Sequence, residues 1–165
     1  MKLLDRIANI AVIVGITVFL GLVVHNRLWR ASPGGPPTAE SLRGRTIHVS
    51  GIDFPRPRAS VLLVIAKGCH FCQDSLPFYR VLAAETQGRA DLLAVLPESR
   101  AEGEEYLKAA GVRATQVASA SPTELGVSGT PTLVLVDRSG KVQEAWFGFL
   151  DGARQAQVRS RLARL

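Results

Sequence analysis

Residues 61–77 read VLLVIAKGCHFCQDSLP, and they contain both cysteines of this 165-residue chain, Cys69 and Cys72. The run SVLLVIA (60–66) is β-branched residues and leucine without a charge. That composition predicts a strand buried on both faces. From Cys69 to about Gln87 the pattern turns helical, with Leu76, Tyr79, Val81, Leu82 and Ala83 available for the core side. Pro77 inside it removes one backbone donor and predicts a kink. The cysteine pair therefore lies between the end of a buried strand and the start of a helix.

Four chemistries are open to such a pair. Structural zinc needs four ligands, and the only other candidates are His25, His48 and His70, which are hard to gather into one set. Cu(I) carried by Cys69, Cys72 and a histidine is chemically sound, because thiolates suit a soft ion. A structural staple gains little, since so short a loop removes little chain entropy and a domain of this size needs no help. Dithiol–disulfide chemistry has positive support. Amides at a helix start favour a thiolate, which suits Cys69, and Cys72 one turn further can reach a mixed disulfide formed there. His70, when protonated, would lower the Cys69 thiol further; otherwise it is a plain surface side chain. Keeping cysteines only as a pair suits an oxidising compartment.

The remaining chain reads as strands and helices in alternation. TIHV (46–49), DLLAVLP (91–97) and ATQVASA (114–120) predict strands. AEGEEYLKAAG (101–111) predicts a helix ended by Gly111. TLVLVD (132–137) and KVQEAWFG (141–148) predict a hairpin around a glycine-containing turn. Residues 151–165 predict an amphipathic helix with Val158, Leu162 and Leu165 on one face. This order implies an α/β domain, a central mixed sheet with helices on both faces.

Before that domain, Ile7 to Val24 is an apolar run interrupted only by Asn9 and Thr17. It predicts an uncleaved membrane anchor, with Arg27 and Trp29 as interfacial residues. A signal peptide is the rival, and HNRLWR (25–30) is a poor cleavage site for one. Residues 1–6 form a tail, 25–45 a juxtamembrane segment and Pro/Gly linker, and 46–165 the domain. Lys2 and Arg6 before the run are matched by Arg27 and Arg30 after it, so charge does not orient the anchor. The net charge is +6. Its arginines are scattered, among them Arg56, Arg58, Arg80, Arg89, Arg100, Arg113 and Arg138, without the interleaved aromatics of a single-strand binder. No nucleic-acid partner is expected. Arg154, Arg159, Arg161 and Arg164 read as the solvated face of the terminal helix.

On two motifs, VLLVIAKGCHFCQDSLP at 61–77 and GVSGTPTLVLVDRSGKVQEAWFG at 126–148, the sequence resembles the thioredoxin superfamily over residues 46–165. The resemblance implies a thioredoxin-like fold, a cis Pro131 packed against the cysteines, and pairing of a substrate strand beside Thr130 and Pro131. The strand at 46–49 and the segment 101–120 resemble the redoxin-like branch, which includes anchored thiol–disulfide oxidoreductases of bacterial cell envelopes, some serving cytochrome c maturation. It implies a single-pass inner-membrane enzyme whose C-terminal domain faces the periplasm or outer surface. Cys69 and Cys72 would exchange electrons with protein thiols and disulfides, as a reductase fed by a membrane electron-transfer partner. Lys67 and His70 would tune the pair, with neither metal nor cofactor.

The sequence departs from the family in three places. Leu63 stands where thioredoxins carry a buried acid. Ser75 stands where cytochrome-maturation reductases often have one, with Asp74 beside it. His70-Phe71 replaces Gly-Pro between the cysteines. A redox-inactive or Cu(I)-binding assembly factor on the same fold is the alternative. A peroxidase would need a Pro-x-x-x-Thr-x-x-Cys context that is missing before Cys69.

Overall fold

The computed structural model describes residues 15–21 and 38–165. The chain divides into two compact units, Met1–Pro36 and Pro37–Leu165. In the first, residues 15–21 are helical and expose Ile16, Val18, Phe19 and Leu20. The rest of the apolar run 7–24 and the linker up to residue 37 lie outside the described residues. Among the described residues no helix is long and apolar enough to cross a membrane.

The second unit opens with α1 (Ala39–Leu42), ahead of the start near residue 46 suggested by composition. A reciprocal capping box between Thr38 and Ser41 fixes this single turn, and Leu42 at its end is buried. Then follow β1 (Ser60–Val64), α2 (His70–Asp74), α3 (Leu76–Thr86), β2 (Asp91–Leu96) and α4 (Arg100–Ala110). The chain closes with β3 (Gln116–Ser119), a 3₁₀ turn (Pro122–Leu125), β4 (Thr132–Val136), β5 (Val142–Phe147) and α5 (Gly152–Leu162).

The strands form one mixed sheet in the order β3-β2-β1-β4-β5. β1 runs parallel to β2, and β2 parallel to β3. β4 is antiparallel to both β1 and β5. Every residue of β1 is buried, which is the central position that its unbroken apolar run demands.

The expectation of helices on both faces is met unevenly. Val61, Leu63 and Ile65 face a core built with Phe78, Tyr79 and Leu82 of α3, Leu107 of α4, and Val158 and Leu162 of α5. Leu62 and Val64 face the other core, closed by Leu42 of α1, Ile47 to Ile52, and Leu125 of the 3₁₀ turn. The reason is topological. The crossovers β1-α3-β2 and β2-α4-β3 step in the same direction across the sheet. Right-handed crossovers then put both helices on one face.

Other expectations are corrected. TIHV is no strand: it makes one bridge, Thr46 to Lys141, before Val49 turns back to Ile52. Pro55 and Pro57 follow, without the donors a longer ladder needs. The segment still covers the start of β5, through Gly44 N–H to Val142 O at 2.8 Å and Ile47 N–H to Gly140 O at 2.9 Å. The helix expected from Cys69 to Gln87 breaks at Ser75, so Pro77 falls in the first turn of α3, where its missing donor costs nothing. Val81 is exposed, off the stripe of Phe78, Tyr79, Leu82 and Ala83. Leu165 is exposed because α5 ends at Leu162. Gly111, at φ +70°, does end α4. Gly140 must be glycine: its φ is +83°, and a Cβ would come within 2.8 Å of Phe54 Cδ2.

If α1 belongs to the folded unit, Leu42→Ala destabilises it by about 2–5 kcal/mol, the usual cost of emptying a buried leucine site. Urea unfolding of the fragment 37–165 measures this, and a shift below roughly 0.5 kcal/mol would place α1 outside the core.

Candidate active site

Both cysteines are free thiols, Cys69 partly exposed and Cys72 fully buried. Cys69 is the N-cap of α2: its backbone is extended, and its Sγ accepts the Cys72 N–H at 3.2 Å. A thiol in the capping position sits where a serine or aspartate oxygen usually would. Here the capping acceptor is the sulfur itself, so a negative charge on Sγ strengthens the bond it already makes.

Strand register brings the second motif alongside. Val64, the last residue of β1, pairs with Thr132, the first of β4. The segments beyond these partners are therefore neighbours: Cys69 after β1, and Thr130 and Pro131 before β4. The Thr130–Pro131 peptide is cis. The Cys69 thiol donates to Thr130 O at 3.5 Å. The turn is held on either side, by Gly148 N–H to Pro131 O at 2.8 Å and by Thr132 Oγ1 to Gly129 O at 2.8 Å.

The two thiols are electrostatically unequal. Burial raises Cys69, but hydrogen bonds from Cys72 and Thr130 and from the Cys72 and Phe71 amides outweigh it, and the thiol falls below its ordinary value of 9.0. Burial dominates at Cys72, and with the Cys69 hydrogen bond and charge it pushes that thiol up to about 12. The largest influences that lower Cys69 are hydrogen bonds with neutral groups.

The other expected site residues stand further off. His70 is on the surface, with Nε2 3.3 Å from Asp74 Oδ2. Lys67 has an exposed side chain, but its backbone is held tightly: Lys67 N–H donates to Glu98 Oε1 at 2.9 Å, and Gln73 Nε2 to Lys67 O at 3.3 Å. Ser75, the supposed acid position, is buried and bonds Phe71 O through Oγ at 2.7 Å. Leu63 is completely buried in the core.

Glu98 was not singled out by the sequence. It follows the C-terminal end of β2, and in open α/β sheets sites form at the C-terminal ends of strands; that rule is the signal for it. Its Oε2 and the Tyr106 hydroxyl are buried without a hydrogen-bond partner. Phe71 and Phe149 expose apolar rings, the first between the cysteines and the second next to Gly148. Among the described residues no cluster of three or more His, Cys, Asp or Glu is placed to hold a metal.

No protein-family model and no curated protein matches the sequence. Solved structures do. A Chlorobium tepidum protein named for thiol:disulfide interchange, DsbE, superposes with a TM-score of 0.54 and 27% identity, over 64% of this chain and 79% of that one. A thiol-disulfide isomerase from Corynebacterium glutamicum gives 0.57 and 13% identity, over 72% of this chain and 96% of that one. DsbF of MTB, solved in mixed oxidized and reduced forms, gives 0.53 and 22%, over 76% and 84%. The last two, at these identities, speak to fold alone.

Alkylation of the reduced protein at increasing pH tests the inequality of the thiols. Only a thiolate reacts, so the rate at Cys69 rises with pH and levels off around a midpoint below 9.0. Cys72 stays unmodified until the pH nears 12. Equal rates at the two residues, read by mass spectrometry, would remove the basis for assigning them different roles.

Proposed function

We propose that this thioredoxin-superfamily redoxin is a membrane-anchored thiol–disulfide oxidoreductase that reduces disulfides of extracytoplasmic proteins. The observation that carries the reading is the inequality of the pair. Cys69 is a reachable sulfur below its ordinary pKa beside a cis proline, and Cys72 is a buried sulfur held protonated.

Cys69 thiolate attacks one sulfur of the substrate disulfide. A bond forms between Cys69 Sγ and that sulfur, and the other substrate sulfur leaves as a thiolate and takes up a proton. Cys69 has then lost its negative charge, so two of the influences that raised Cys72, the Cys69 charge and hydrogen bond, are gone. Cys72 becomes easier to deprotonate at the moment it is needed. Its sulfur attacks Cys69 Sγ, closes the Cys69–Cys72 disulfide and releases the second substrate sulfur. Two electrons have passed to the substrate. Thr130 and Pro131 offer the edge along which its extended backbone lies. Lys67 and His70, at the solvent surface, act on Cys69 through a screened field only.

The way the thiolate is held supports the reducing direction. A strongly oxidising pair has a heavily stabilised reduced form. Here the hydrogen bonds on Cys69 come from neutral groups, and Cys72 is raised. The dithiol is therefore not greatly favoured over the disulfide.

The apolar run 7–24 supports anchoring, and cysteines kept only as a redox pair support an oxidising side of the membrane. On this reading the domain faces the periplasm or outer surface. A membrane protein supplies electrons. The substrates are protein disulfides, of the kind that must be reduced during cytochrome c maturation.

Cys69→Ser abolishes reduction of insulin disulfides by the fragment 37–165, and Cys72→Ser accumulates mixed disulfides with substrate, visible on non-reducing gels. Undiminished turnover in the first variant, or no covalent complex in the second, refutes the mechanism. The reduction potential of the pair lies near about −270 mV, and a value near about −120 mV would reverse the direction of transfer.

A further inference from the structure

The pole of the domain opposite the cysteines carries a cluster of arginines that the redox chemistry does not use. Register locates them. Ser60 pairs with Asp91 and with Val136, at the sheet end away from Cys69. Arg58 and Arg89 precede the first two of these residues, and Arg138 follows the third. Arg113 precedes β3 at the same end, and all four are exposed. Arg58, Arg89 and Arg138 line one hollow of about 520 Å³, and Arg58 and Arg113 line the next.

Two acids of this pole, Asp91 and Asp137, are already engaged. Asp91 is paired with Arg56 at 3.0 Å. The Asp137 carboxylate accepts from Ser139 Oγ at 2.7 Å, from the Ser139 and Lys141 amides, and from Gln143. Arg58, Arg113 and Arg138 take part in none of the ion pairs among the described residues. The cysteine pole differs: Lys67, Arg100 and Arg154 are interspersed there with Asp74, Glu98, Glu102 and Asp151.

The stretch after α1 also runs along the basic pole. Gly44, two residues after α1, bonds Val142, the first residue of β5, and exposed Arg43 lines a hollow with Lys141 of the adjoining turn. We infer that this pole is a docking surface for anionic lipid headgroups, which holds the domain against the bilayer with Cys69 turned away from it. The inference rests on the anchored reading above. Basic side chains are drawn to an anionic leaflet within about one Debye length, roughly 8 Å at physiological salt. The mixed charge at the cysteine pole, those three cations among four acids, feels no such pull. Its groove stays open to soluble partners.

The full chain is reconstituted in vesicles of phosphatidylcholine, with and without added phosphatidylglycerol, and its outward-facing arginines are labelled with a water-soluble glyoxal. Labelling of Arg58, Arg113 and Arg138 should fall about threefold or more when phosphatidylglycerol is present and recover in high salt, while Arg100 and Arg154 are unchanged. Equal labelling in both lipids, or an equal fall at both poles, overturns the inference. Flotation separates it from the anchor. A chain that floats with phosphatidylcholine alone is anchored, whatever the labelling shows. A chain that floats only with phosphatidylglycerol, and no longer does as R58E/R113E/R138E, has the docking surface without the anchor. No flotation with either lipid ends both readings. Protection by duplex DNA and none by phosphatidylglycerol assigns the pole to nucleic acid and overturns the inference as well.

Discussion

The pairing of Val64 with Thr132 is the constraint on which the site depends. It joins two segments far apart in sequence at one end of the sheet and sets them antiparallel. A slip of one residue would turn every side chain of β4 to the wrong core. The slip is prevented by the cores themselves, because β1 and β4 are buried along their whole length. Cys69 therefore meets Thr130 through the burial of leucines and valines, and needs no contact of its own to be brought there. The hydrogen bonds at Pro131 and Thr132 then hold the turn in shape.

Within that frame, the break at Ser75 separates the chemistry from the packing. α3 can lay Phe78, Tyr79 and Leu82 on the sheet without dictating the path of the cysteine turn. α2 is short, so the state of Cys69 comes from individual amides and neighbouring hydrogen bonds rather than from a long helix dipole. Burial alone would raise both thiols. The difference between them is that Cys69 has donors around it and Cys72 lies where the core is closed. Leu63, at the position where thioredoxins carry a buried acid, is an ordinary core residue here.

Much of this could be read from the residues. Unbroken apolar runs placed β1, β2 and β4, because a central strand must be apolar on both faces. The glycine turn gave the β4–β5 hairpin, and Gly111 the end of α4. The sequence was less legible where a contact distant in the chain decides the outcome. TIHV has the composition of a strand, but its neighbour offers it a single bridge. The crowding of helices on one face follows from the direction of two crossovers, which periodicity does not encode. Glu98 matters through its bond to a backbone amide of another strand's loop, and no spacing motif marks such a bond. The cysteine pair and the Thr130-Pro131 turn were legible because each carries its geometry in consecutive residues.

The arginines show the same limit from the other side. In sequence Arg58, Arg89, Arg113 and Arg138 are scattered, yet each flanks a strand at one end of the sheet. The fold collects them because that pole is where the chain enters β1, β2 and β3 and leaves β4. Helix ends add to the asymmetry. α4 and α5 begin at the cysteine pole with Glu102 and Asp151 in capping roles, and carry Lys108, Arg159 and Arg161 in their last turns. Acids are favoured at helix N-termini and cations at C-termini, but Arg159 and Arg161 are paired with Glu85 and Glu144 and α3 ends without a cation, so the unpaired charge of the far pole comes from the arginines that flank the strands. The parallel order of β1, β2 and β3 thus fixes both ends of the domain: strand C-termini and amide donors around the cysteines, and strand N-termini flanked by arginines opposite.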